Sequence, residues 1–158
     1  MAAIAADERV KLVFDVHTMA GVGPSAYDDP SLYRPRIAVG NMGNEQGYPL
    51  RPDFPTTSSP AHINYLAELF REEFADAPTL HPTGPTTLIN FPYRGGWDMR
   101  QHGGMRQPWF MIEISRALYI GKQESESPVV PPHKEIITDL RERTWRVIET
   151  FVRNAILD

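Results

Sequence analysis

A carboxylate within an apolar run is the first feature of the chain that points to chemistry. Residues 109–119, WFMIEISRALY, are rich in aromatic and branched side chains, which predicts a buried β-strand. The run carries Glu113, and Arg116 follows three residues later. A carboxylate inside a buried strand is costly unless it is paired, hydrogen-bonded or placed at a functional site. Two interpretations follow: a structural ion pair between Glu113 and Arg116, or a catalytic carboxylate.

A histidine adjoins a second predicted strand. Residues 10–16 form a β-rich, nearly continuous apolar run that predicts a buried strand, and His17 comes directly after it. In open α/β sheets, ligands and catalytic groups gather beyond the carboxyl ends of the strands. His17 is therefore well placed for function, although this segment alone indicates only a polar residue in a strand-end turn.

A glycine-rich polar loop, residues 92–108, separates two further predicted strands, 86–91 and 109–114. Glycines let the backbone approach a ligand closely, and arginines suit bidentate recognition of a carboxylate. The alternative for each arginine is a solvated loop surface. The side chains of interest in this loop are Tyr93, Arg94, Arg100 and His102.

The elements that must position these residues follow from periodicity and capping. Residues 36–40 predict a short strand. Ser59 and Pro60 are typical of a helix start, and the helix is expected to end near residue 77. A last amphipathic helix is predicted over 132–156. The order β-β-α-β-β-α within one domain, 1–158, indicates an α/β or α+β fold whose apolar strands favour a covered, mostly parallel or mixed sheet.

Composition excludes several classes of function. The 158 residues carry a net charge of −4 and no cysteine. Disulfide and thiolate chemistry are therefore ruled out, and a metal would need His, Asp or Glu ligands. The mild acidity argues against nucleic acid as a partner, and no apolar run reaches membrane-spanning length. The first residues lack the features of a signal peptide, so the expected location is the cytoplasm.

Three segments, in order, carry a family resemblance: residues 15–19 (DVHTM), residues 90–96 (NFPYRGG) and residues 112–119 (IEISRALY). They resemble the Asp-x-His-Ser/Thr-Met, Asn-x-Pro-Tyr-x-Gly-Gly and Ile-Glu-Ile-Asn/Ser-Arg-x-Leu-Tyr segments of the N-formylglutamate amidohydrolase family. The resemblance corresponds to the later part of a typical member. It implies an α/β fold similar to the C-terminal part of a zinc carboxypeptidase-like fold, with an incomplete mixed, mostly parallel sheet flanked by helices.

The same resemblance implies roles for individual residues. His17 matches a zinc ligand and Glu113 matches the general base that activates water, while Asp15 would support His17. The substrate class implied is a small N-acylated acidic amino acid, whose carboxylates arginines could bind. The residues assigned to substrate binding are Arg116, Arg94, Tyr93, Arg100 and His102.

The zinc ligand set is incomplete in the matched segments. A catalytic zinc needs three protein ligands, and related hydrolases take two from a His-x-x-Glu/Asp-type segment upstream of the Asp-x-His strand. No histidine precedes His17 here, and none of the other four histidines has an acid three residues on. The chain is thus expected to lack the N-terminal part of the fold.

Three hypotheses remain open on this basis. The chain is a zinc amidohydrolase completed by a homo-oligomer or by a separate chain that supplies the missing segment. Alternatively, it is a catalytically inactive remnant that serves as a binding or assembly module. A third hypothesis is a peptidase acting on glutamyl amide bonds. An incomplete sheet leaves an unpaired edge, which favours an oligomer or a complex.

Overall fold

The computed structural model describes residues 2–23, 33–120 and 131–155. No helix within these ranges is both long and apolar enough to cross a membrane. The elements are α1 (Ala2–Ala6), β1 (Val13–Met19), β2 (Ile37–Gly40), α2 (Pro60–Glu73), β3 (Thr87–Ile89), α3 (Trp97–His102), β4 (Trp109–Ser115), the 3₁₀ turn Arg116–Leu118 and α4 (Lys134–Ala155).

The four strands form one open sheet in the order β1-β4-β2-β3. β1 runs parallel to β4, and β2 runs parallel to β3, whereas β2 and β4 are antiparallel. The predicted α/β fold with a mixed, mostly parallel sheet flanked by helices is therefore confirmed. The likeness to zinc carboxypeptidases stays a prediction.

One face of the sheet, the core face, carries the main hydrophobic core. Successive side chains of a strand alternate between faces, so Phe110 and Ile112 of β4 share this face with Ile37 and Val39 of β2. Helices α2 and α4 cover it. The side chains that they bury are Ile63, Leu66, Ala67 and Phe70 from α2 and Leu140, Val147 and Phe151 from α4.

Helix α2 begins as its sequence predicts. Ser59 is the N-cap, and its hydroxyl accepts a hydrogen bond from the His62 backbone N–H at 3.1 Å. Pro60 follows at the first helical position, where a missing N–H is tolerated. The apolar side chains at helical spacing then face the sheet.

The opposite face, here the site face, is covered by less of the chain. A second, smaller cluster packs there, and it joins Trp109 and Met111 of β4 to Met99 of α3 and to Met42. The odd-numbered residues of β1 and β4 point to this face. Most of the chemistry-bearing residues of the three motifs therefore lie on the side away from the main core.

Several boundaries differ from the predictions. Helix α2 ends at Glu73 and not near residue 77, and β1 begins at Val13 and not at residue 10. β1 continues to Met19, because its parallel ladder with β4 runs on through the pair Met19 and Ser115. His17 consequently lies within the strand and not beyond its end. In the segment predicted as loop 92–108, six residues form α3, bounded by Gly96 and Gly103. The last helix is close to its prediction, and residue 156 lies outside the described ranges.

Candidate active site

The pairing of β1 with β4 brings the two key residues of the sequence analysis together. His17 is the register partner of Glu113, so both side chains point to the site face from neighbouring strands. On its other side Glu113 is paired with Ala38 of β2, a residue with a small side chain. The central strand thus presents one carboxyl group beside an imidazole.

Asp15 holds the His17 ring from the same strand. The Asp15 Oδ1 and His17 Nε2 atoms are 2.7 Å apart, which two residues on one strand face can achieve. The His17 side chain is 51% exposed, whereas that of Asp15 is only 12% exposed. A sheltered carboxylate that fixes an accessible imidazole is a common arrangement around metal-binding histidines.

Glu113 is half-buried, and its Oε2 atom is buried without a hydrogen-bond partner. Burial raises the pKa of the Glu113 carboxyl, and the nearby Asp15 carboxylate raises it further. His17, Arg34 and Arg116 lower the pKa, but burial is the largest cause. A carboxyl with a raised pKa on an accessible face is a candidate proton acceptor.

The structural ion pair considered for Glu113 is not formed. Within the described residues, no carboxylate–guanidinium contact joins Glu113 to Arg116, and Arg116 Nε is buried without a partner. The 3₁₀ turn that carries Arg116 starts at Ser115, whose hydroxyl accepts a hydrogen bond from the Ala117 N–H at 3.3 Å. Both members of the motif therefore keep unfilled hydrogen-bonding capacity.

Arg34 is a site residue that the sequence analysis missed. It is buried, its Nη1 donates a hydrogen bond to the Tyr93 hydroxyl at 2.8 Å, and its Cζ lies 5.2 Å from the Tyr93 ring centroid. Its charge also acts on Glu113. Arg34 lies between Tyr33 and Pro35, just before β2, and belongs to no recognisable motif. The sequence therefore gives no signal that would have identified it as a site residue. Arg34 thus contacts Tyr93 and also lowers the pKa of Glu113.

A pair of buried asparagines fixes the start of the NFPYRGG loop. The Asn90 Oδ1 accepts a hydrogen bond from the Asn41 N–H at 2.9 Å, and the Asn90 Nδ2 donates to Asn41 Oδ1 at 2.8 Å. Asn41 Nδ2 in turn donates to the carbonyls of Gly47 and Ser58. Asn90 has a φ of 55°, a left-handed conformation that asparagine tolerates better than most residues. Its role is to position the loop.

Three of the predicted substrate-binding residues line one cavity. Tyr93, Arg94 and Arg100 border a space of about 580 Å³, together with Glu45 and apolar side chains. The Arg94 carbonyl accepts a hydrogen bond from the Met42 N–H at 2.8 Å, which fixes the loop against the end of β2. The structure thus brings these three residues together. His17, Glu113 and Arg116 do not line this cavity.

His102 lies at the end of α3, apart from both groups. Its ring centroid is 6.1 Å from that of Trp97 and 6.4 Å from that of Trp109. Trp109 begins β4, whereas Glu113 lies in the second half of that strand. The described ring neighbours of His102 are thus Trp97 and Trp109. These contacts do not test a substrate role, which stays a prediction.

The family model for N-formylglutamate amidohydrolase matches residues 1–120. The chain belongs to the N-formylglutamate amidohydrolase family. No curated protein and no solved structure matches it significantly. The three motifs, the β1–β4 pair and the loop cavity all lie within the matched residues, whereas α4 lies beyond them.

For an N-formylglutamate amidohydrolase, the expected zinc site can be tested against the side chains. Among residues 2–23, 33–120 and 131–155, no group of three or more His, Asp or Glu side chains converges on one point. His17 and Asp15 alone offer fewer donors than a catalytic zinc requires. The described part of the chain therefore does not complete a zinc site.

Proposed function

We propose that the chain acts in metal-dependent hydrolysis of N-acylated acidic amino acids, with N-formylglutamate as the first substrate to test. The observation that supports this best is the pairing of Glu113 with His17 across β1 and β4. It joins a carboxyl of raised pKa to an accessible imidazole on one face of the sheet. Membership of the amidohydrolase family supports the reaction class.

In this proposal Glu113 is the general base and His17 is one ligand of a zinc ion. Zinc, when bound, supplies a water of lowered pKa and polarises the amide carbonyl. Glu113 accepts a proton from the attacking water and donates it to the amide nitrogen as the C–N bond breaks. The products from N-formylglutamate are formate and glutamate. The remaining zinc ligands come from outside the described residues.

Substrate recognition is assigned to arginines at two places. Arg116 has a buried Nε without a partner at the end of β4, and its charge lowers the pKa of Glu113. Arg94 and Arg100 line the loop cavity with Tyr93. A guanidinium binds a carboxylate through two parallel hydrogen bonds, so these side chains suit a substrate that carries two carboxylates.

The experiment is release of glutamate from N-formylglutamate by the purified chain, with and without added zinc. Glu113→Gln keeps the shape of the side chain but cannot accept the proton, so we expect kcat to fall about a hundredfold or more. Glu72→Gln, an exposed change on α2, is the matched control. Equal rates for wild type and Glu113→Gln would contradict the proposal. A preference for poly-glutamyl substrates would indicate the peptidase instead.

A second candidate is a binding or assembly module without catalysis. It is favoured by one observation, the lack of three converging metal ligands among the described residues. This candidate predicts no tightly bound metal above background and unchanged behaviour of Glu113→Gln. Metal analysis of the purified chain, with His17→Ala as the comparison, separates the two candidates, because zinc lost on that substitution supports the hydrolase.

A further inference from the structure

The outer edge of β1 is unpaired within the described residues, since this strand contacts only β4 in the sheet. The Val13 N–H donates to the Pro108 carbonyl at 3.0 Å, so the odd-numbered residues of β1 direct their backbone groups toward β4. The N–H and C=O groups of Phe14, Val16 and Thr18 then point outward. Such an edge is a template for a further strand.

We propose that this edge pairs antiparallel with β1 of a second copy of the chain, about a two-fold axis at Val16. In that register Val16 faces the partner's Val16, and Phe14 faces the partner's Thr18. These residues carry the outward backbone groups, so they form the hydrogen-bonded pairs. Asp15 then faces the partner's His17 in a non-hydrogen-bonded pair, where side chains approach closest, with Cα atoms about 4.5 Å apart.

Charge selects this register. Moving the axis to residue 15 places Asp15 against the partner's Asp15, and moving it to residue 17 places His17 against the partner's His17. Two carboxylates directly opposite each other destabilise a strand pair, whereas a carboxylate opposite an imidazole accepts a hydrogen bond from the ring N–H. Only the axis at Val16 sets a carboxylate against an imidazole, and symmetry makes the contact twice. The edge is therefore complementary to itself.

An apolar groove beside the edge provides further surface for a second copy. It has a volume of about 740 Å³ and is bordered by Thr18 and Ile114 of the sheet and by Trp145 and Ile137 of α4. Trp145 is 63% exposed and Val16 is 49% exposed. Large apolar side chains at an unpaired edge are typical of a surface that becomes covered.

The pairing has a consequence for the site face. Asp15 and His17 of both copies meet between the two Glu113 carboxyls, so each copy contributes side chains to the other's site. The two sheets also become one continuous sheet of eight strands, four from each copy. This inference does not depend on the proposed hydrolysis, because it rests on the backbone direction of β1 and on the side chains that its edge sets opposite each other.

Sedimentation equilibrium over a wide range of protein concentration, in the presence of EDTA, tests the pairing without any contribution from metal. We expect a reversible dimer. Val16→Asp places two carboxylates at the axis and should weaken the dimer about tenfold or more. Leu80→Asp, at a residue that is 50% exposed and far from β1 in sequence, should leave it unchanged. Circular dichroism verifies that each variant is folded.

A charge exchange makes the register itself testable. His17→Asp sets carboxylates opposite each other twice and should weaken the dimer, whereas adding Asp15→His again sets a carboxylate opposite an imidazole and should restore the affinity. A chain that stays monomeric at every concentration would overturn the proposal. This holds also if a different polypeptide, and not a second copy, pairs with the edge. A dimer unaffected by Val16→Asp would overturn it as well.

Discussion

Glu113 keeps a carboxyl group partly out of water, and this has a consequence for stability. Its raised pKa means that the folded chain binds the proton more tightly than the unfolded chain does. The favourable contribution of this proton binding to the free energy of unfolding is therefore fully present below the ordinary pKa of glutamate. It is lost as the pH rises through the raised pKa of Glu113. We expect Glu113→Gln to raise the Tm relative to wild type at neutral pH. Thermal unfolding at neutral and acidic pH should show that the gain shrinks as the pH falls, while Glu72→Gln shows no such pattern.

The same shift in pKa predicts the pH dependence of activity. A general base works only when deprotonated, so the rate should fall as the pH drops through the pKa of Glu113. Because burial raises this pKa, the acid limb of the kcat/KM profile should lie above the ordinary range for glutamate. A steady-state profile with N-formylglutamate measures it. An acid limb at the position of an unperturbed glutamate would contradict this prediction, because burial would then not control the pKa of the catalytic base.

Asn90, the first residue of the NFPYRGG segment, has a structural role. Asn90→Ala would leave the buried Asn41 N–H without its partner, remove one of the two donors to Asn41 Oδ1, and place alanine at a positive φ. We expect the free energy of unfolding to fall by about 2–4 kcal/mol, since a buried unsatisfied group costs about 1–3 kcal/mol and backbone strain of this kind adds about 1–3 kcal/mol. Urea denaturation measures this change.

Asn154→Ala is the matched control for that change. Asn154 is exposed and donates a single hydrogen bond to the Tyr65 hydroxyl, so its loss should cost less than about 1 kcal/mol. Equal losses for the two variants would mean that the Asn41–Asn90 pair is not what holds the loop.

At the scale of elements, Gly40 shows how the end of β2 holds the NFPYRGG loop. A Cβ atom at this position would lie 2.6 Å from the Arg94 carbonyl oxygen and 2.9 Å from Met111 Cε. Gly40→Ala must therefore displace the loop, and we expect it to lower stability by about 1–3 kcal/mol. Gly96→Ala is the control, because a Cβ there meets nothing within 4 Å. Crystal structures of both variants would show whether Arg94 moves only in the first.

The elements predictable from the sequence are those with a strong local pattern. The four strands and helices α2 and α4 follow from apolar runs, a Ser-Pro start and helical spacing. The extension of β1 was not predictable, because residues 17–19 do not form an apolar run. They belong to the strand only because they pair with β4. Helix α3 is a single short segment between glycines, where local propensity is weak.

The site was predictable only where it rests on motifs. The family resemblance assigned a role to each of His17 and Glu113, whereas their position opposite each other comes from the parallel register of β1 and β4. Arg34 was not predictable, because its place beside Tyr93 depends on a contact between residues 59 positions apart. Long-range contacts of this kind leave no periodic signal in a single sequence.

At the scale of the whole molecule, α4 supplies part of the main hydrophobic core although it lies beyond the family-matched residues. The family match ends at residue 120, and α4 (Lys134–Ala155) follows it. Arg143 attaches α4 to the end of α2, where its Nη1 donates to the Glu73 carbonyl at 2.6 Å and to Asp76 Oδ1 at 2.8 Å. A cation at the C-terminal end of a helix is favourable to the helix dipole.

Phe151 is the side chain through which α4 joins the strands and α2. Its ring centroid is 5.1 Å from that of Phe110, 6.1 Å from that of Phe14 and 5.9 Å from that of Tyr65. We expect Phe151→Ala to lower the free energy of unfolding by about 3–5 kcal/mol, because it opens a cavity where α4 meets β1, β4 and α2. Urea denaturation measures the loss, with Trp97→Ala, an exposed aromatic residue on α3, as the control.

The same reasoning predicts the behaviour of a shortened chain. A chain ending at residue 120 would expose the core face that Leu140, Val147 and Phe151 cover, so it should lose cooperative unfolding. Calorimetry of the full and shortened chains tests this. A sharp unfolding transition in the shortened chain would mean that the matched residues fold independently and that α4 only adds to a finished core. Loss of the transition would make α4 part of the unit that holds Glu113 beside His17.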